Sequence, residues 1–424
     1  MRKRVSRDRL ALRAMFLAGI LMPHDASAEP DVLARLGITG SIDARVVVAD
    51  GEESWQNDGL GKLRFDGNDL GRAQARVAIA DAHLIAQPNF GDFRFHIDGR
   101  FQHSDRVSIG LNQAWIAWKP IPKGETKISA RAGLFYPPIS LEHDGPGWTT
   151  TRTLTPSAIN SWIGEEVKVV GLEGKVSTPI GAHEITVAAG VFAANDTTGI
   201  LLTFRGWALH DVGVNAFDRL PLPRRSNQAL DGLASYTTPV NELDNRPGYY
   251  VHGVWQLPER LSVNATWFDN RGDPEAIEAS REYGWRTKFI NIGMRFDVDD
   301  KTQLMAQAMR GTTKMGHPDA DGRFPFDVTY RSAYLLGTRQ MGKGRLTVRG
   351  DLFDVVDQTD VTIDNNNNET GWALTGAYMH PLSDRATVRV EIVHLSSNRP
   401  ARTLMASSSK AGQDQFQLSL RYEF

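Results

Sequence analysis

From Gly37 onward the chain alternates apolar and polar residues in long runs. One run sets Phe93, Phe95, Ile97, Gly99 and Phe101 against Arg94, His96, Asp98, Arg100 and Gln102. The last sets Phe416, Leu418, Leu420, Tyr422 and Phe424 against Gln415, Gln417, Ser419, Arg421 and Glu423. A period of two marks a strand with two unlike faces. About ten residues is the length of a tilted strand crossing a bilayer, and a terminal aromatic suits the interface girdle of a membrane barrel.

The same reading predicts strands over 38–49, 72–86, 93–102, 107–118, 127–135, 167–177, 184–194, 249–257, 261–268, 288–298, 303–312, 328–340, 345–355, 372–380, 387–395 and 415–424. The alternation slips near Asn112, which predicts a bulge. Short turns such as 258–260, 299–301 and 381–384 alternate with longer connections. An even strand number puts both ends on one side, and absorbing 195–247 into one outer loop gives sixteen strands. The expected fold is all-β: a closed antiparallel transmembrane β-barrel of about sixteen strands, with long outer loops and an inward constriction loop. A propeller would repeat a blade signature every ~40–50 residues, and none is present. Sandwich strands average about 5–6 residues, shorter than many of these runs.

Composition agrees. The 424 residues include no cysteine, which excludes disulfide scaffolds, cysteine-ligated zinc and thiol catalysis. No apolar run reaches the ~18 residues of a membrane helix. At the start, Arg2, Lys3, Arg4, Arg7, Arg9 and Arg13 precede an apolar stretch over 14–22, and Ala26-Ser27-Ala28 has a small-x-small form. This reads as a cleaved signal peptide over 1–28, leaving the barrel in 29–424. Of the 48 basic and 50 acidic residues, segment 1–28 holds six and two, so segment 29–424 holds 42 and 48, a net charge of −6. A nucleic-acid binder would carry the opposite sign.

Candidate chemistry lies on the polar faces. Arg94, Arg100, Arg131, Arg295, Arg331, Arg349 and Arg389 fall there and are expected to line a pore and favour anions. A guanidinium binds carboxylate or phosphate through two points and keeps its charge. The bland alternative is a wet wall of mixed charge, with cross-strand Arg–Asp pairs. Segment 137–163 is the expected constriction loop, with Glu142, Asp144 and Arg152 opposing the wall; the alternative is a surface loop over the mouth. Trp115, Trp118, Trp255, Trp267, Tyr330, Tyr334, Trp372, Tyr378 and Tyr422 read as interface belts. The acidic stretches 319–322 and 364–369 read as solvated outer loops. No motif for a hydrolase, metal site or phosphate loop appears, so no catalytic residue, cofactor or metal is expected.

Four segments carry a resemblance: Gly59 to Phe65 (GLGKLRF), Arg131 to Pro138 (RAGLFYPP), Leu154 to Gly164 (LTPSAINSWIG) and Arg349 to Phe353 (RGDLF). They resemble the phosphate- and polyphosphate-selective porin superfamily of Gram-negative outer membranes. The resemblance implies a sixteen-stranded barrel, commonly a homotrimer, with inward loops and a basic track. The chain departs from that pattern in its acidic net charge and in lacking a dense Lys/Arg cluster in the constriction segment. The expectation is an outer-membrane porin in contact with lipid and lipopolysaccharide. It would pass small hydrophilic solutes by diffusion, anions or phosphate among them, without turnover. Two other classes stay open: a lipase-like barrel enzyme, which would need an exposed Ser–His pair, and a plugged structural or adhesin barrel.

Overall fold

The computed structural model describes residues 36–102, 108–194, 197–223, 232–359 and 366–424. The expected signal peptide over 1–28 lies outside them, as does Asp364. Sixteen long strands are present among the described residues. They are β1 (Ile38–Ala49), β2 (Gln74–Ala86), β3 (Phe93–Gln102), β4 (Ser108–Trp118), β5 (Lys127–Phe135), β6 (Val169–Ile180), β7 (His183–Ala193) and β8 (Gly248–Leu257). After them come β9 (Leu261–Asp269), β10 (Arg286–Asp299), β11 (Thr302–Met315), β12 (Phe326–Met341), β13 (Gly344–Asp357), β14 (Glu369–Pro381), β15 (Ala386–Asn398) and β16 (Lys410–Glu423). Each pairs antiparallel with its neighbours in sequence, and β1 pairs with both β2 and β16, which closes the barrel. Closure leaves no open edge, so every strand can satisfy its backbone inside a membrane.

The two-faced pattern dictates which side meets lipid. On β16 the apolar residues Phe416, Leu418, Leu420 and Tyr422 are exposed, while Gln413, Gln415, Gln417 and Ser419 are buried. Trp118, Trp255, Trp267, Trp372, Tyr378 and Tyr422 face outward near the strand ends, as expected of belts. Trp115, Tyr330 and Tyr334 do not: Tyr330 and Tyr334 are buried in the interior core, and Trp115 stacks on His96 at 4.7 Å. The short turns lie at one end. Gly181 and Gly342 open two of them at φ +62° and +61°, a backbone that favours glycine and suits two-residue hairpins.

The predicted slip is a bulge. Asp98 pairs with Gln113 and Gly99 with Leu111, leaving Asn112 as the extra residue. Its side chain turns fully into the lumen, donating to Asp98 at 2.6 Å and accepting from the Tyr136 hydroxyl at 2.9 Å and Lys168 Nζ at 3.1 Å. A second bulge lies on β2: Asp81 pairs with Asp43 and Ile79 with Ala44, so Ala80 is extra.

The interior differs from a wholly wet lumen. One apolar cluster joins Trp55 and Leu63 of the β1–β2 connection to Ile159 and Trp162 of the β5–β6 connection, and to Leu201 and Trp207. Leu201 belongs to the short helix α1 (Thr198–Arg205). The wall answers with Phe268, Phe289, Met305, Met309, Tyr330, Leu336, Phe353 and Leu395. Three connections therefore pack into the barrel and give its interior a dry core on the β8–β15 side. Burying these large side chains stabilises the filled state by roughly 1.5–3 kcal/mol each.

Candidate functional site

The β5–β6 connection carries the expected constriction segment. Its apolar residues Ile139, Ala158, Ile159, Trp162 and Ile163 are almost wholly buried, so hydrophobic burial draws the segment inward. The wall's polar groups then fix it. Leu154 and Thr155 donate backbone N–H groups to Glu391 of β15, and Ala158 donates to Asp351 of β13. Arg349 of β13 lies between Glu142 (3.0 Å) and Asp351 (2.8 Å) and also donates to the carbonyls of Thr155 and Pro156. The loop's carbonyls thus meet a guanidinium and its amides meet carboxylates, which satisfies backbone that could not otherwise be buried.

Three cavities lie in a row along β1–β3 and β15–β16 and mark the candidate passage. At the outer end is a cavity of about 940 Å³, lined by Glu52, Arg64, Asp66, Arg76 and Gln413 among others. At the short-turn end is a cavity of about 300 Å³ lined by Ser41, His83, Arg385, Arg421 and Phe424. Between them lies one of about 20 Å³. Ser41, His83 and Arg421 border both this narrow cavity and the lower one. A water needs roughly 10–15 Å³ on this measure, so the narrow part has room for about one.

Ion pairs build the narrow part. Asp211, on the segment after α1, lies 2.6 Å from Arg45 and 3.0 Å from Arg64. Burial works to raise the Asp211 carboxyl, but the two guanidiniums outweigh it and hold it below the usual carboxylate range. Asp43 is shared by Arg45 and Arg389, each at 2.6 Å. Arg100 lies 3.0 Å from Asp81 and 3.6 Å from Glu165. His83 bridges Asp81 (3.2 Å) and Asp98 (3.0 Å). Each of Asp43, Asp81, Glu165 and Asp211 thus serves two cationic or imidazole groups.

The expected site residues divide five ways. Arg100 and Arg389 reach the passage. Arg349 and Glu142 are buried together as the latch of the inward segment. Arg295, Asp144 and Arg152 form a half-exposed cluster: Asp144 is 2.5 Å from Arg152 and 3.6 Å from Arg295, and Arg152 also binds Gln303. Arg94 and Arg131 stand elsewhere, Arg94 exposed on β3 and Arg131 paired with Glu173 at 2.8 Å. Arg331 does not line the lumen. It faces outward with Leu335, half exposed, and pairs with Asp354 at 3.1 Å. The reason is the dry core: Val328, Tyr330, Tyr334 and Leu336 of β12 point inward to pack on it, so the polar and apolar faces exchange roles.

Sequence reading missed Asp81, Glu165 and Asp211, and met Arg64 only inside a motif. Asp81 carried a signal, since a buried acid opposite Asp43 demands cations. Asp211 carried none, because a loop far along the chain supplies it. A Ser–His–Glu chain also lies inside the lumen. Ser140 Oγ is 2.8 Å from His143 Nδ1, and His143 Nε2 is 2.9 Å from Glu165. Ser140 Oγ accepts from the backbone N–H groups of Glu142 and His143, so it ties a turn. The 319–322 stretch is likewise a closed turn, with Asp319 accepting from the N–H groups of Asp321 and Arg323.

No protein-family model matches the chain, and no curated protein matches its sequence. Solved structures do match in shape. An anion-selective porin from Comamonas acidovorans superposes with a TM-score of 0.53 at 11% identity, over 91% of this chain and 98% of that one. The outer membrane channel DcaP of Acinetobacter baumannii superposes with a TM-score of 0.54 at 11% identity, over 91% and 96%. The fold is that of an outer-membrane porin. A closed barrel with an oily exterior and aromatic belts belongs in the bacterial outer membrane.

Proposed function

We propose that this protein is a narrow passive diffusion channel for small hydrophilic solutes, with a preference for anions. The observation that carries the proposal is the row of guanidinium groups, Arg64, Arg45, Arg100, Arg389 and Arg421, along these three cavities. A carboxylate or phosphate entering there would exchange for the protein's carboxylates, taking two-point hydrogen bonds from Arg45 or Arg100 as it moves. Repeated weak exchange lets a solute enter and leave without being trapped. No bond to the solute is made or broken, and flux runs down the gradient. Phosphate preference is the finer form of this reading, supported by the motif resemblance. A homotrimer in contact with lipopolysaccharide belongs to the same proposal.

A plugged structural barrel is the second reading. Its support is the interior core and the narrow cavity of about 20 Å³. Planar-bilayer recording separates the two. Stepwise conductance with a reversal potential toward anion permeation is expected in a salt gradient. Well-folded protein that gives no steps would favour the plug, and a cation-directed potential would end the anion preference.

A further inference from the structure

A cavity of about 300 Å³ lies against β4–β8, and none of its lining residues borders the passage. Its walls include Trp115, Lys119, Arg131, Glu173, Lys175 and His252. The charges do not balance. The one acid, Glu173, is already engaged by Arg131 at 2.8 Å and by the Tyr250 hydroxyl at 2.5 Å. Lys119 and Lys175 pair with no carboxylate among the described residues, and both are exposed. Burial and then the neighbouring cations Arg94, Lys175 and Arg131 lower the Lys119 ammonium, a sign of unrelieved positive potential.

The shape is that of a cup. Lys119 comes directly after the last residue of β4 at the short-turn end, which faces the periplasm in such barrels. Trp115 stacks flat on His96 in the wall, and its buried indole N–H has no hydrogen-bond partner. A buried donor without an acceptor is unfavourable, and a bound oxygen would satisfy it. A cavity of about 300 Å³ is at the lower end of small-ligand sites.

We infer that this cup binds a small oxyanion, a carboxylate- or phosphate-bearing solute, from the short-turn side. Lys119 and Lys175 supply the ion pairs, and the Trp115 indole supplies a directed hydrogen bond. Lysines are mobile point charges, so the cup takes either oxyanion without demanding one geometry. Two ammonium groups favour a di- or trianion over chloride.

The test uses the full barrel in detergent micelles. Citrate and inorganic phosphate are titrated by calorimetry at constant ionic strength, with chloride as the control. Saturable binding of at least one oxyanion is expected. A Lys119→Gln/Lys175→Gln double variant should bind roughly tenfold or more weakly, the loss of about one charge-assisted bond. Trp115→Phe should weaken it less. Both lysines are exposed, and heat-modifiable gel mobility verifies that the variant is folded. Absence of saturable binding, or equal binding by the folded double variant, overturns the inference. The inference does not rest on the channel reading. Conductance through the passage is expected to survive the double variant, and a barrel that binds citrate without conducting would uphold the cup alone.

Discussion

Arg64 Nη1 lies 3.0 Å from Asp211 Oδ2, and the pair stands between the outer vestibule and the narrow cavity. Arg64 comes from the β1–β2 connection and Asp211 from the segment after α1. Two loops distant in sequence therefore meet at the point where the passage is tightest. Asp211→Ala would leave Arg45 and Arg64 without their shared carboxylate. Higher single-channel conductance and a reversal potential shifted further toward anions are expected. If neither changes, the pair does not lie on the conducting route.

Arg100 and Arg331 give a matched contrast. Arg100 lines the narrow cavity with Asp81 and Glu165, whereas Arg331 faces outward beside Leu335. Arg100→Gln should reduce anion preference, read as a smaller zero-current potential in a salt gradient. Arg331→Gln should leave that potential unchanged and alter stability only slightly, by about 0–1 kcal/mol as for an exposed ion pair. Equal effects from both would contradict the assignment of faces.

Arg349 is wholly buried and holds the inward segment through Glu142 and two carbonyls. Arg349→Met removes the cation but leaves Glu142, Asp351 and those carbonyls inside. Breaking a buried pair from one side costs roughly 3–5 kcal/mol. A lower urea midpoint, monitored by tryptophan fluorescence, is the expected outcome. Because the segment narrows the lumen, larger and noisier conductance should accompany it.

Lys168, just before β6, donates to Asn112 and to the Val214 carbonyl. Burial, then the nearby Arg100, lowers its ammonium to about 7. An unfolded lysine titrates near ~10.4, so between these values the folded state binds fewer protons than the unfolded chain. Stability from this group therefore rises with pH across that window, and below about 7 its penalty is complete. The urea midpoint of the wild type should gain on that of Lys168→Met as pH is raised from 7 to 10. A difference independent of pH would show that folding does not lower the Lys168 ammonium.

Much of this architecture was legible along the chain. Alternation gave the sixteen strands and, on β16, the lipid-facing side, because a strand's side chains must point to opposite faces and lipid accepts only one of them. The slip at Asn112 marked a bulge for the same reason: one extra residue breaks the period of two. On β12 the same logic pointed the wrong way. Its sequence cannot report that Trp207 and α1 fill the lumen opposite Tyr330, so the tyrosines read as belts and Arg331 as wall.

What the sequence by itself determined is the periodic part of the molecule: a two-faced sheet of even strand number, oily on one side and rich in arginine on the other. Which arginines line a passage, which latch a loop and which meet lipid was decided only by the tertiary structure. Alternation is a local property of each strand. The partners Asp211, Glu142 and Glu165 come from connections whose course through the lumen depends on packing between distant segments.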